Sequence, residues 1–70
     1  MPINRPILTD ADLQEVIDHK LKIRVFEKDH LVVSSANVVR FTDADVVIQT
    51  RVSDLAYYSR RSCEFYEVRS

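Results

Sequence analysis

Cys63 and Arg69 stand six residues apart, the C-x5-R spacing of the cysteine phosphatases, and this is the sharpest catalytic pattern in the 70-residue chain. In such a loop the intervening backbone amides and the arginine hold a phosphate. Here the intervening residues are Glu64, Phe65, Tyr66, Glu67 and Val68. They bring two acids, alternate like a strand and lack glycine, so Cys63 reads as a structural thiol. Arg60 and Arg61 nearby are the feature that could raise its reactivity.

His19 and His30 have no Cys or His at ligand spacing, and a zinc site needs three or four convergent ligands. Asp10, Asp12 and Glu15 crowd one segment, but a helix start accounts for them, as a turn does for Asp43 and Asp45. No Ser–His–Asp or Cys–His arrangement follows from the spacing. The expectation is a non-enzymatic chain with no catalytic residue, no cofactor and no metal.

Binding is the chemistry that remains. Lys20, Lys22, Arg24 and Lys28 lie on or beside one segment with Phe26 among them, and Arg60 and Arg61 neighbour Tyr57, Tyr58 and Tyr66. Basic residues interleaved with aromatics on a sheet hold single-stranded nucleic acid through phosphate contacts and stacking. The candidate surface is therefore Lys22, Arg24, Phe26, Tyr57, Tyr58, Arg60, Arg61 and Tyr66. Eleven acids offset ten bases, for a net charge of −1, so no global field draws the chain to nucleic acid or membrane. The competing expectation, and the leading one, is a small cytoplasmic interaction or regulatory module that works through protein contacts and self-associates. Its apolar and aromatic content is generous for so small a core, and such a surplus tends to end at interfaces.

The totals agree with that reading. A chain this short supports one domain and a stability of about 3–5 kcal/mol. Its single cysteine excludes an internal disulfide, which leaves a homo-oligomer as the remaining source of stability. There is no apolar run long enough to span a membrane. The first ten residues lack the apolar core of a secretory signal, and with the unpaired thiol this points to the cytoplasm. The sequence contains no glycine, where about five would be usual. P-loops and dinucleotide fingerprints are thereby excluded. Positive-φ positions are expected to fall to Asn, Asp or His.

The elements that must position these residues follow in order. Residues 1–8, with Pro2 and Pro6, read as an extended arm, and residues 9–70 as a single small α+β domain. Thr9-Asp10-Ala11-Asp12 has the form of a capping box with Asp in place of Glu, and Leu8 and Leu13 are spaced as a hydrophobic staple. Leu13, Val16, Ile17 and Leu21 recur at helical spacing, which predicts a helix over 10–20 with Lys20 in its last turn. From Leu21 the period becomes two: Leu21, Ile23 and Val25 face a core while Lys22, Arg24 and Phe26 alternate with them.

Leu31 to Arg51 reads as a hairpin turning at Thr42–Asp45, with a bend expected in the polar middle of its first strand, Ser34 to Asn37. The repeated Thr-Asp-Ala-Asp thus caps a helix once and turns a hairpin once. Residues 53–68 fit two strands with a tight step at Arg60–Ser62, or a helix starting at Ser53. The predicted fold is one N-terminal helix packed on a curled antiparallel sheet of four to five short strands. Across residues 9–68 this element order resembles the small SH3-like and Sm-like barrels, which implies a partly open barrel. The glycines characteristic of the Sm family are absent, so neither ring assembly nor uridine binding carries over.

Overall fold

The computed structural model describes the backbone of residues 3–69 and the side chains of residues 5–68. Seven elements follow one another: β1 (Ile3–Ile7), α1 (Asp10–Asp18), β2 (Lys22–Glu27), β3 (His30–Phe41), β4 (Asp45–Arg51), β5 (Asp54–Ser59) and β6 (Cys63–Arg69). The class is α+β, as expected, but the strands among the described residues number six, in one antiparallel sheet of order β1-β6-β2-β3-β4-β5 that does not close.

The additional strand comes from the segment expected to be an arm. β1 pairs with β6 from Ile3↔Arg69 to Ile7↔Phe65. The prolines rule out helix but not an edge strand, where a missing N–H need not interrupt the ladder. Met1 and Pro2 lie outside the described residues. The C-terminal alternative is also settled, because 54–59 and 63–69 are strands and not a helix.

α1 begins as its sequence dictates. The Asp12 N–H donates to Thr9 Oγ1 at 3.1 Å, and Asp12 Oδ2 accepts from the N–H groups of Leu8 and Thr9 at 3.0 and 3.2 Å. Those two donors, led by Leu8, hold the Asp12 carboxyl below the usual carboxylate range. The hydrophobic staple does not form: Leu8 is 76% exposed, and its backbone rather than its side chain is what the helix start engages.

The helix ends at Asp18, two residues short of expectation, with His19 as C-cap. Lys20 N–H donates to Ile17 O and Leu21 N–H to Val16 O, the double bond of a Schellman ending. That ending demands a left-handed residue, and Lys20 supplies it at φ 52°. Lys28 and Asp29, at φ 51° and 66°, make the two-residue turn between β2 and β3. Positive φ thus falls on one aspartate, a residue type expected there, and on two lysines, which were not expected. The turn and cap geometry fixes where left-handed residues are needed, whatever residue stands there.

The inner face of the sheet and α1 share the core, built from Leu13, Val16, Ile23, Val25, Val33, Ala36, Val38, Val46, Ile48 and Phe65, with Ile17, Leu21, Phe41 and Tyr58 packed against it. The strand period forecast from Leu21 holds. The register of β2 against β3 slips between Ile23↔Ala36 and Val25↔Val33, so that Ser34 and Ser35 together oppose Arg24. This is the bend expected in the polar middle of β3. At the far end, Thr42 Oγ1 accepts from Ala44 and Asp45 N–H, and the second Thr-Asp-Ala-Asp makes the β3–β4 turn.

Two stability outcomes follow. Lys20→Gly relieves a left-handed penalty of about 1–2 kcal/mol and restores part of it as unfolded-chain entropy, a net gain of about 0.5–1 kcal/mol. Thermal unfolding should show Tm rising by roughly 3–6 °C, while Lys20→Ala, which keeps a Cβ, gains nothing. The second outcome concerns acid. Because the folded Asp12 carboxyl lies below its unfolded value, its contribution is complete above about pH 4 and fades as pH falls through the folded value. Denaturation at stepped pH should give Asp12→Asn a shallower loss of stability on the acid side than the parent chain.

Candidate functional site

Alternation along β2 and β6 sends Ile23, Val25, Cys63, Phe65 and Glu67 inward and Lys22, Arg24, Phe26, Glu64 and Tyr66 outward. Cross-strand pairing then places Arg24 opposite Tyr66 and Phe26 opposite Glu64. The rings of Phe26 and Tyr66 meet edge to face, with centroids 5.6 Å apart and planes at 88°. Tyr66 Oη donates to Glu64 Oε2 at 3.0 Å. That bond, the charge of Glu64, burial and the charge of Asp29 all push the Tyr66 hydroxyl above its usual value. A cleft of about 290 Å³ opens between Phe26, Asp29, Glu64 and Tyr66.

Four of the eight predicted surface residues, Lys22, Arg24, Phe26 and Tyr66, therefore share one outer face. Lys22 Nζ donates to Asn37 Oδ1 at 2.7 Å, while the half-buried Arg24 has an Nε with no hydrogen-bond partner among the described residues. Tyr57 lies on the same face two strands beyond β3. Arg40 Nη2 donates to its hydroxyl at 2.9 Å, and the pair spans Val47, which is buried although it points away from the core.

The other three residues are elsewhere. Tyr58 turns inward and packs on the core. Arg60 is an internal tie: its Nη1 donates to Thr42 O at 2.7 Å and forms an ion pair with Asp10 Oδ1 at 2.7 Å, and its guanidinium carbon lies 5.8 Å from the centre of the Phe41 ring. Arg61 sits exposed in the step between β5 and β6. Lys22, Arg24, Arg60 and Arg61 consequently do not form one basic track. Sequence reasoning missed Asp29 and Glu64. The signal available was the strand period, which places Glu64 beside Phe26 once β6 is paired with β2.

The remaining polar chemistry is internal. Glu67 is buried, and Arg5, directly opposite it on β1, donates from Nε to Glu67 Oε1 at 2.7 Å and from Nη2 to Glu15 Oε1 at 2.6 Å. The Glu67 contact leads in raising the Arg5 pKa. Cys63 is buried, and burial pushes its thiol up, with Glu27 adding to the effect. The Arg69 side chain of the C-x5-R pattern lies outside the described residues. Among the described residues no group of three or more His, Cys, Asp or Glu could hold a metal ion. No helix among them is long and apolar enough to cross a membrane. The chain matches no protein-family model, no curated protein and no solved structure.

A thiol with a raised pKa inside the core is slow to react. Iodoacetamide at neutral pH should modify native Cys63 far more slowly than the same residue in urea, and Arg61→Ala should leave the native rate unchanged. Native alkylation as fast as unfolded would overturn the structural reading of this cysteine.

Proposed function

We propose that this chain is a small, non-enzymatic interaction module that acts through protein contacts, beginning with a second copy of itself through the free edge of β5. The supporting observation is the contrast between the two edges of the sheet. β1 carries Arg5 and Pro6, a charge and a missing N–H, which are devices that discourage strand addition. β5 reads Asp-Leu-Ala-Tyr-Tyr-Ser, with no proline, no lysine and no arginine, and among the described residues it pairs with β4 alone. Its outward residues Leu55 and Tyr57 are 51% and 61% exposed.

Antiparallel pairing of two β5 strands about a two-fold centred on Ala56 sets Leu55 of each copy against Tyr57 of the other. An aliphatic–aromatic cross-strand pair is thereby formed twice, and the unpaired backbone groups of both edges are satisfied. The architecture supports this reading. From α1 to β6 the strand order and the three-residue step before the last strand follow the SH3-like and Sm-like pattern, and the domain is best read as an open variant with β1 laid outside β6. The scattered cations give a nucleic-acid groove little to stand on. A reduced buried thiol suits the cytoplasm.

Sedimentation equilibrium tests the proposal. The parent chain should dimerise at micromolar concentration. Leu55→Lys, a guarding charge on an exposed edge position, should stay monomeric with stability changed by no more than about 0.5 kcal/mol. A parent chain that is monomeric at high micromolar concentration would end it.

A further inference from the structure

We infer that the cleft between Phe26, Tyr66, Asp29 and Glu64 is a binding site for a cationic side chain, the ammonium or guanidinium group of a basic residue on a partner polypeptide. Two ring planes at 88° form a corner, and the negative faces of aromatic rings attract a cation placed against them. The corner is flanked by carboxylates from two different elements, Asp29 in the β2–β3 turn and Glu64 near the start of β6. Neither forms an ion pair among the described residues, and Glu64 Oε2 accepts only a neutral hydroxyl while its second oxygen stays available.

The hydrogen bond to Glu64 leads in raising the Tyr66 hydroxyl pKa, and the charges of Glu64 and Asp29 act in the same direction. Arg24 pairs across from Tyr66 and Lys28 precedes Asp29 in the turn, but neither lines the cleft. A neutral apolar guest would leave two carboxylates facing it without compensation, and an anion would be repelled. A cation gains from both rings and both acids. The cleft's openness to solvent suits a side chain presented from outside, with its backbone left on the surface.

The probe is choline, compared with 3,3-dimethyl-1-butanol, which has the same shape and no charge, and with a short lysine-containing peptide and its acetyl-lysine counterpart. Titration followed by aromatic proton resonances should show saturable shifts at Phe26 and Tyr66 for choline and the lysine peptide. The uncharged counterparts should bind roughly fivefold or more weakly. The affinity should fall as salt is added. Asp29→Asn and Glu64→Gln, both at exposed positions, should each weaken binding about threefold. Equal shifts from the neutral isostere would make the cleft merely apolar and overturn the inference. So would the absence of saturable shifts, or undiminished binding by the Asp29→Asn/Glu64→Gln double variant. Choline binding without lysine-peptide binding would also overturn the assignment of a polypeptide side chain. Leu55→Lys should bind the probes as the parent does, so a failure here and a failure of β5 pairing are separate results.

Discussion

Three residues, Arg60 to Ser62, carry the chain from the end of β5 to the start of β6, and the shape of the sheet depends on that step. In the strand order these two strands are four interstrand spacings apart, about 19 Å if the sheet were flat. The four peptide steps from Ser59 to Cys63 reach at most about 14 Å. A flat sheet is therefore impossible, and the sheet must curl until its β5 side approaches β6. Arg60 secures the result. Its backbone N–H donates to Ala44 O, and its guanidinium binds Thr42 O and Asp10 while covering Phe41. One side chain thus joins the β5–β6 step, the β3–β4 turn and the start of α1. Arginine suits the position because a planar fork with five donors satisfies several acceptors at once.

Curling has consequences for what lies inside. The inner face narrows, and its most buried members are Ile23, Val25, Val46 and Ile48, β-branched residues that pack on a pleated surface and lose little rotamer freedom there. The helix contributes Leu13 and Val16 to the same core. β1 then brings Arg5 directly against the buried Glu67 and, at the same time, within reach of Glu15 and Asp12 on α1. A buried carboxylate is costly without a partner and tolerable with one. A slip of β1 by one residue would point Arg5 to the opposite face of the sheet and strand Glu67. The pair therefore specifies the register of a five-residue edge strand in which Pro6 has no N–H to give.

Where local rules suffice, the sequence was legible. The capping box at Thr9 and Asp12, the change of period at Leu21, the turn at Thr42 and the bend at Ser34–Ser35 each follow from a few neighbouring residues, and each is where it should be. Where the determinant is distant in the chain, it was not. β1 becomes a strand because β6 offers an edge some sixty residues away, a pairing that no pattern within Ile3–Ile7 announces. Arg60 looked like surface because its acceptors, Thr42 and Asp10, come from two remote elements. Tyr58 and Tyr57 are adjacent and equivalent in composition. Only the pairing with β4 reveals that one opposes Val46 in the core and the other Val47 outside it.

The absence of glycine links the fold to what its surface can do. Tight left-handed positions fall to Lys20, Lys28 and Asp29, so the ends of α1 and of the β2–β3 hairpin carry charge where glycine would leave bare backbone. At Asp29 that charge stands beside Phe26, Glu64 and Tyr66, and the turn residue becomes part of the cleft. The cleft belongs to β2, β6 and their adjoining turn, while the free edge is β5, with β3 and β4 between them. Strand addition along β5 engages none of the four residues that line the cleft. A pair of copies related by a two-fold would present two such clefts, and a partner with two suitably spaced basic residues would engage both, gaining avidity without any new contact.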